Sequence, residues 1–255
     1  MEFSSAVDAV LLFAAALAAG ALNSVAGGGS FLTFPSLLFA GVPPVTANAT
    51  STVALWPGTV ASTGAYWREL APLRKQLAVL SVISIVGGFI GAKVLLLTSQ
   101  EAFRALIPWL LLTATAVFAF GNSVVAKLRR PERTASNPHG LGALLAQFPI
   151  AVYGGFFGGG IGILMLAALS VSGIQDIHRM NAIKNWLAMC INGIAFATFI
   201  VEGAVYWPQA MVMTTGAIVG GFSGVTLAKK VPPANIRGFV VAVGVGMTAY
   251  FFVRG

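Results

Sequence analysis

The chain has 255 residues, of which 57% are hydrophobic and only 9% charged, and its mean hydropathy is +0.88. Soluble domains carry about a quarter charged residues, so these totals exclude an ordinary soluble enzyme and point to a polytopic membrane protein. The net charge of +8 does not revive a nucleic-acid-binding reading, because the basic residues sit in short clusters between apolar segments, where positive-inside bias accounts for them.

The amino terminus carries Glu2 and Asp8 and no positive leader region, so the run "AVLLFAAALAAGA" is expected to be a retained membrane segment and not a cleaved signal. Apolar stretches follow over residues 7–40, 44–67, 77–97, 103–120, 141–171, 182–201, 210–228 and 239–253. A spanning helix needs about 20 residues. The first and fifth stretches are longer, and as straight helices they would reach roughly 45 to 50 Å, past a hydrocarbon core of about 30 Å. Each is interrupted by glycines, in "NSVAGGGSFLTFP" and in "YGGFFGGGIGILM".

The two halves share landmarks. "VGGFIG" from Val86 recurs as "VGGFSG" from Val219, and the same offset of 133 pairs Asn48 with Asn181 and Arg104 with Arg237. "GGGS" from Gly27 pairs with "GGGI" from Gly158 at an offset of 131. A nearly constant spacing across four landmarks predicts an internal duplication. The expected organisation is a first transmembrane repeat over 1–121, a basic cytoplasmic linker over 122–140 and a second transmembrane repeat over 141–255.

Charge counting then predicts orientation. If each long stretch is a re-entrant hairpin, every half has three full crossings and the second half is inverted. Arg68, Arg74, Lys75, Lys127, Arg129, Arg130, Arg133, Arg179, Lys229, Lys230 and Arg237 then face the cytoplasm, 11 of the 15 basic residues. If the long stretches cross fully, the cytoplasmic count falls to 8. The inverted arrangement is the one the bias favours. The fold class expected is an all-α polytopic membrane protein of two inverted repeats, each a broken, glycine-interrupted helix pair followed by three transmembrane helices.

Irregular backbone at membrane depth is tolerated only where protein or a water-filled cavity surrounds it. Two breaks therefore imply an internal cavity. A break also bares the N-terminal end of the following half-helix, where unpaired N–H groups and the positive dipole end attract an anion. Those half-helices are expected to begin near Ser30 and Ile161. The competing reading of the glycines is close helix packing, which suits the scattered Gly87, Gly88, Gly220 and Gly221 better than the consecutive triplets Gly27, Gly28, Gly29 and Gly158, Gly159, Gly160.

Lys184 is the sharpest single residue. A lysine costs about 2.5 to 3.5 kcal/mol at mid-membrane on insertion scales. Its competing role is to snorkel toward the interface near His178 and Arg179. Asn181, Asn185 and Asn192 fall largely on the same helical face, and amide donors around one positive charge suit an oxyanion. The first-half counterpart offers Asn48, Thr50, Ser51 and Thr52, whose hydroxyls usually bond back to their own helix. No carboxylate lies deep in an apolar stretch, so a proton relay through buried Asp or Glu is not expected. His139 and His178 lie near loops, where solvation is the ordinary reading. The single cysteine, Cys190, excludes thiol-pair redox chemistry within one chain.

The stretches "NSVAGGGSFLTFPSLLFAGVPPVTANATSTVAL" from Asn23 and "GGFFGGGIGILMLAALSVSGIQDIHRMNAIKN" from Gly154 resemble the TauE/SafE family, the sulfite and organosulfonate exporters also called the toluene-sulfonate uptake permease family. The resemblance extends over essentially the whole chain. It implies a carrier for small sulfur-containing anions such as sulfite, sulfoacetate or a similar sulfonate, usually moved outward across the cytoplasmic membrane. The positions it marks are Gly27 to Ser30 and Asn48 in the first half, and Gly158 to Gly160, Asn181, Lys184 and Asn185 in the second. Ile161 stands where the first half has Ser30, so two chemically equivalent sites are not expected.

The leading expectation is a secondary transporter working by alternating access in the cell membrane. An anion channel or an uptake permease is the alternative. An intramembrane serine enzyme is not favoured, because its base would have to be His139 or His178. Substrate-binding candidates are Gly27, Gly28, Gly29, Ser30, Asn48, Thr50, Gly158, Gly159, Gly160, Asn181, Lys184 and Asn185. The expected partners are the sulfur-containing anion and the lipid bilayer, with a homodimer as a candidate assembly, no cofactor and no nucleic acid.

Overall fold

The computed structural model describes residues 6–25, 28–64, 66–128, 141–171, 174, 176–228 and 233–254. Gly27, His139 and most of the basic linker lie outside them. All regular structure among the described residues is helical, in the order α1 (Ala6–Val25), α2 (Ser30–Phe39), α3 (Pro44–Gly64), the short α4 (Trp67–Leu70), α5 (Arg74–Leu97), α6 (Gln100–Leu128), α7 (Leu141–Phe156), α8 (Ile161–Val171), α9 (Ile177–Val201), α10 (Trp207–Ala228) and α11 (Pro233–Arg254). The protein is therefore an all-α membrane protein, as its composition demands.

Four helical segments among the described residues are long and apolar enough to cross a bilayer: Leu77–Leu97, Gln100–Gly121, Arg179–Val201 and Arg237–Arg254. The lipid-facing sides of α5 and α6 carry exposed Val82, Phe89, Trp109 and Phe120, the large apolar residues that a soluble protein would bury. Helix α3 is 21 residues long yet is not among these segments. Its Thr46, Asn48, Thr50, Ser51, Thr52 and Thr59 lower its hydropathy, and it runs through the interior against α9 instead of facing lipid.

Both glycine-rich stretches break where the sequence places them, between α1 and α2 and between α7 and α8. The chain doubles back at the second break, where Gly154 meets Ile161 and Gln147 meets Met165, and α2 packs on α1 at the first, with Gly29 against Ala19. In the first half, α2 runs against α6: Phe31 meets Phe118 and Phe34 meets Phe103. In the second, Gly160 lies at the level of Ala114 and Val117 while Ile163 meets Gly121, so α8 runs with α6. Backbone geometry explains the composition of the breaks. Gly28 has φ 91°, and Gly158 and Gly160 have φ 79° and 77°, values at which an L side chain costs about 1–2 kcal/mol.

The pairings between the halves recur when the halves are exchanged. Helix α1 lies along α10 and α5 along α7, and in each pair the strands of contact advance together: Phe13 with Gly216 then Leu17 with Gly220, and Gly87 with Ala151 then Gly91 with Val152 and Phe156. Close approach without side chains is what holds these pairs, the packing role foreseen for Gly87 and Gly220. Gly88 likewise seats Ile191. Gly221 differs, since nothing lies within 4 Å of its missing side chain.

Corresponding helices meet head to tail. From one end of α3 to the other, Thr50 meets Tyr206, Trp56 meets Met189 and Thr63 meets Asn185, so α3 and α9 are antiparallel. Trp109 with Phe252, Thr115 with Gly244 and Phe118 with Arg237 make α6 and α11 antiparallel too. An ion pair between Lys93 and Glu202 ties the end of α5 to the end of α9.

Candidate functional site

A cavity of about 110 Å³ lies between the two breaks. The end of α1 contributes Asn23, the first break Gly28 and Ser30, α3 Thr52, Leu55, Trp56 and Thr59, the second break Phe157, Gly158 and Gly160, and α9 Lys184, Asn185, Ala188 and Asn192. A cavity needs only about 10–15 Å³ by this measure to hold one water, so the space has room for a small anion together with several waters. One wall is apolar, formed by Leu55, Trp56, Phe118 and Phe157, and the other is rich in donors.

Lys184 is the cation of this cavity, and no carboxylate is among the lining residues. Its ammonium makes no salt bridge or hydrogen bond among the described residues. Its stem is accommodated by Gly162, where an added Cβ would come within 3.3 Å of the lysine Cδ. The side chains of Asn185 and Asn192 reach the same space with no internal partner among the described residues. Trp56 is held in the wall by donating its indole N–H to the Met189 carbonyl at 3.2 Å and by packing at a tilt of 31° against the Phe196 ring, centroids 4.5 Å apart.

The two breaks present different donors. At the first, the Gly29 N–H donates to Asn23 Oδ1 at 2.8 Å, while the N–H groups of Phe31 and Leu32 close onto the carbonyls of Gly28 and Gly29. Ser30 is left as the cavity-facing residue of the first helical turn of α2. At the second, Tyr153 donates its hydroxyl to the Gly159 carbonyl at 2.8 Å and so props the loop. The N–H groups of Gly160 and Gly162, at the start of α8, have no partner among the described residues. Helices of 10 and 11 residues thus aim positive ends at one cavity.

Of the residues expected from sequence, Gly28, Ser30, Gly158, Gly160, Lys184 and Asn185 line this cavity together. Gly29 and Gly159 lie in the same breaks, with one backbone group of each spent on Asn23 and Tyr153. Asn48 and Thr50 are elsewhere. The Asn48 amide donates to the Phe156 carbonyl at 2.8 Å, capping the end of α7, and Thr50 Oγ1 accepts the Tyr206 N–H at 3.0 Å. Asn181 sits on the α9 face one turn before Lys184 and does not line the cavity.

Asn23, Trp56, Thr59 and Gly162 are wall residues that the sequence reading did not select. Asn23 opens the first glycine motif, and Gly162 lies one residue past the start of α8. Thr59 follows the i, i+4, i+7 spacing from Thr52 through Trp56, a periodicity that could have drawn them in. Asn192 and Thr52 belonged to the polar faces noted from sequence.

Over residues 12–251 the chain matches the family described as "Sulfite exporter TauE/SafE". The chain belongs to the TauE/SafE family. It is a multi-pass membrane transporter of that family. It is similar to a "Probable membrane transporter protein" of Haemophilus influenzae, 27% identical over 240 residues covering 94% of this chain and 92% of that protein. A "Probable membrane transporter protein ORF9" of Sinorhizobium sp is 27% identical over 237 residues, covering 92% and 89%. The Escherichia coli K12 "Probable membrane transporter protein YfcA" is 28% identical over 241 residues, covering 94% and 87%. No solved structure matches the chain. For a TauE/SafE protein, the paired glycine breaks and the lysine face are the features around which the described cavity forms.

Proposed function

We propose that this TauE/SafE protein is a secondary carrier that exports sulfite or a small organosulfonate, with the cavity between the breaks as its binding site. The observation that carries the reading is the pairing of one unneutralised lysine with two helix N-terminal ends around a space of about 110 Å³. A monoanion such as hydrogen sulfite or R–SO₃⁻ matches the single charge of Lys184. Asn185, Asn192, Ser30 and the N–H groups of Gly160 and Gly162 supply donors for its oxygens, and charged hydrogen bonds of this kind are worth about 1.5–3 kcal/mol each. The wall of Leu55, Trp56 and Phe118 would take a short organic substituent.

The two halves act as inverted repeats in this reading. Antiparallel packing of α3 on α9 and of α6 on α11, with exchange-symmetric contacts elsewhere, supports it. Alternating access then amounts to rocking one repeat against the other around the cavity. Ser30 has no histidine or carboxylate beside it among the lining residues, which favours hydrogen bonding over a nucleophilic role.

Proteoliposomes test the carrier reading against a channel. Saturable uptake of labelled sulfite, accelerated by unlabelled sulfite on the opposite face, is expected. Unitary currents, with no such counterflow, would replace the carrier by a channel.

A further inference from the structure

A second pocket, of about 330 Å³, lies at the far end of α2 from the central cavity. Phe39 closes α2 there, Gln100, Arg104 and Ile107 come from the first turns of α6, and Phe251 and Arg254 come from the last turn of α11. Its floor is apolar, with Ile107 fully buried, and its rim carries two exposed guanidinium groups. Neither arginine makes a salt bridge among the described residues. Glu101 is close enough to Arg104 to feel its charge but does not line the pocket. Arg254 rests over the Tyr250 ring at 6.0 Å, and Gln100 Oε1 accepts the Val45 N–H at 2.9 Å, which turns its amide into a fixed donor.

This pocket is separate from the central one. Phe34 meets Phe157, on the wall of the central cavity, at 5.7 Å and meets Phe103, next to Arg104, at 6.2 Å. Phe34, Phe103 and Phe157 are all buried, so a layer of packed rings divides the two spaces.

We propose that the Arg104–Arg254 pocket is a second anion site, which binds an amphiphile with a sulfonate or phosphate head and an apolar chain. The two guanidinium groups hold the head, since planar forks of donors match tetrahedral oxyanions. Phe39, Ile107 and Phe251 take the first carbons of the chain. Two sources share this chemistry: a phospholipid of the surrounding leaflet and a soluble alkyl sulfonate. The proposal stands on the pocket's own residues and holds whatever the central cavity carries.

The test uses the full chain in phosphatidylcholine nanodiscs. One arm titrates labelled 1-hexanesulfonate, with 1-hexanol as the uncharged competitor. The other counts phosphatidylglycerol molecules retained in native mass spectrometry. Arg104→Gln, Arg254→Gln and the double variant are compared with Arg104→Lys and with the unaltered arginine pair, every protein carrying Lys184→Met so that sulfonate held in the central cavity does not contribute. At least about tenfold weaker binding is expected in the glutamine variants, from one lost charged hydrogen bond each, with partial recovery in Arg104→Lys. Arginine dependence for the sulfonate alone identifies a soluble ligand, and for phosphatidylglycerol alone a lipid, and either supports the site. Binding of both probes that is equal in the protein with both arginines and in the folded glutamine variants, or no binding above that of 1-hexanol, overturns it.

Discussion

Lys184 reaches the cavity because the helix facing it has a glycine as its second residue: a side chain at position 162 would crowd the lysine stem. The lysine and Asn185 were legible in sequence, since a charge in an apolar stretch with amides at helical spacing is a strong signal. The role of Asn48 was not. Its spacing pairs it with Asn181, yet its amide is spent on the Phe156 carbonyl across 108 residues, a contact that only the tertiary fold creates. Buried at 3% exposure, Asn48 behaves as a structural residue. Replacing it by alanine is expected to leave the Phe156 carbonyl unpaired, to cost about 1–3 kcal/mol and to lower the thermal unfolding midpoint, while sulfite affinity of the folded protein stays unchanged. Asn185→Ala should do the opposite, weakening sulfite binding with little change in melting. Parallel melting and binding measurements on the two variants check this contrast.

At the level of elements, the breaks were readable because consecutive glycines interrupt stretches too long for one crossing. Their chemistry was less so. The two glycine runs look alike, but Asn23 takes up the Gly29 donor in the first, whereas the second leaves the N–H groups at the start of α8 free among the described residues. The difference depends on side chains outside the triplets, Asn23 and Tyr153. Glycine is required at the first break by both backbone and space: Gly28 has φ 91°, and a Cβ there would lie 2.6 Å from the Phe118 ring. Gly28→Ala is expected to destabilise the protein by about 1–2 kcal/mol from backbone strain, with further loss from displacement of Phe118, and to reduce transport. Gly221→Ala, with open space around it, should leave both unaltered. Unfolding midpoints and uptake rates of the pair give the comparison.

For the whole molecule, the nearly constant offset between the halves and the distribution of basic residues predict two copies of one unit facing opposite ways, a proposal in keeping with the antiparallel packing of α3 on α9 and of α6 on α11. Which helices touch could not be read that way, because small-residue packing such as α5 on α7 depends on which glycines find each other. The orientation has its own check. Glu202 and Lys93 sit together at one end of the bundle, half-exposed, and the charge count puts that end outside. A Glu202→Cys variant carrying Cys190→Ser is expected to react with a membrane-impermeant thiol reagent added to intact cells. Reaction only in inverted vesicles would reverse the orientation.

We propose that a single lysine between two broken helices binds the exported anion. The most direct test of this is uptake of labelled sulfite and short alkyl sulfonates into proteoliposomes by wild-type protein and by Lys184→Met, with unfolding midpoints measured alongside. Removing a partly buried charge that no internal group pairs should leave the midpoint unchanged or raised, while transport falls at least about tenfold, the loss of roughly one charged hydrogen bond. Full transport and unchanged sulfite affinity in folded Lys184→Met would contradict the assignment.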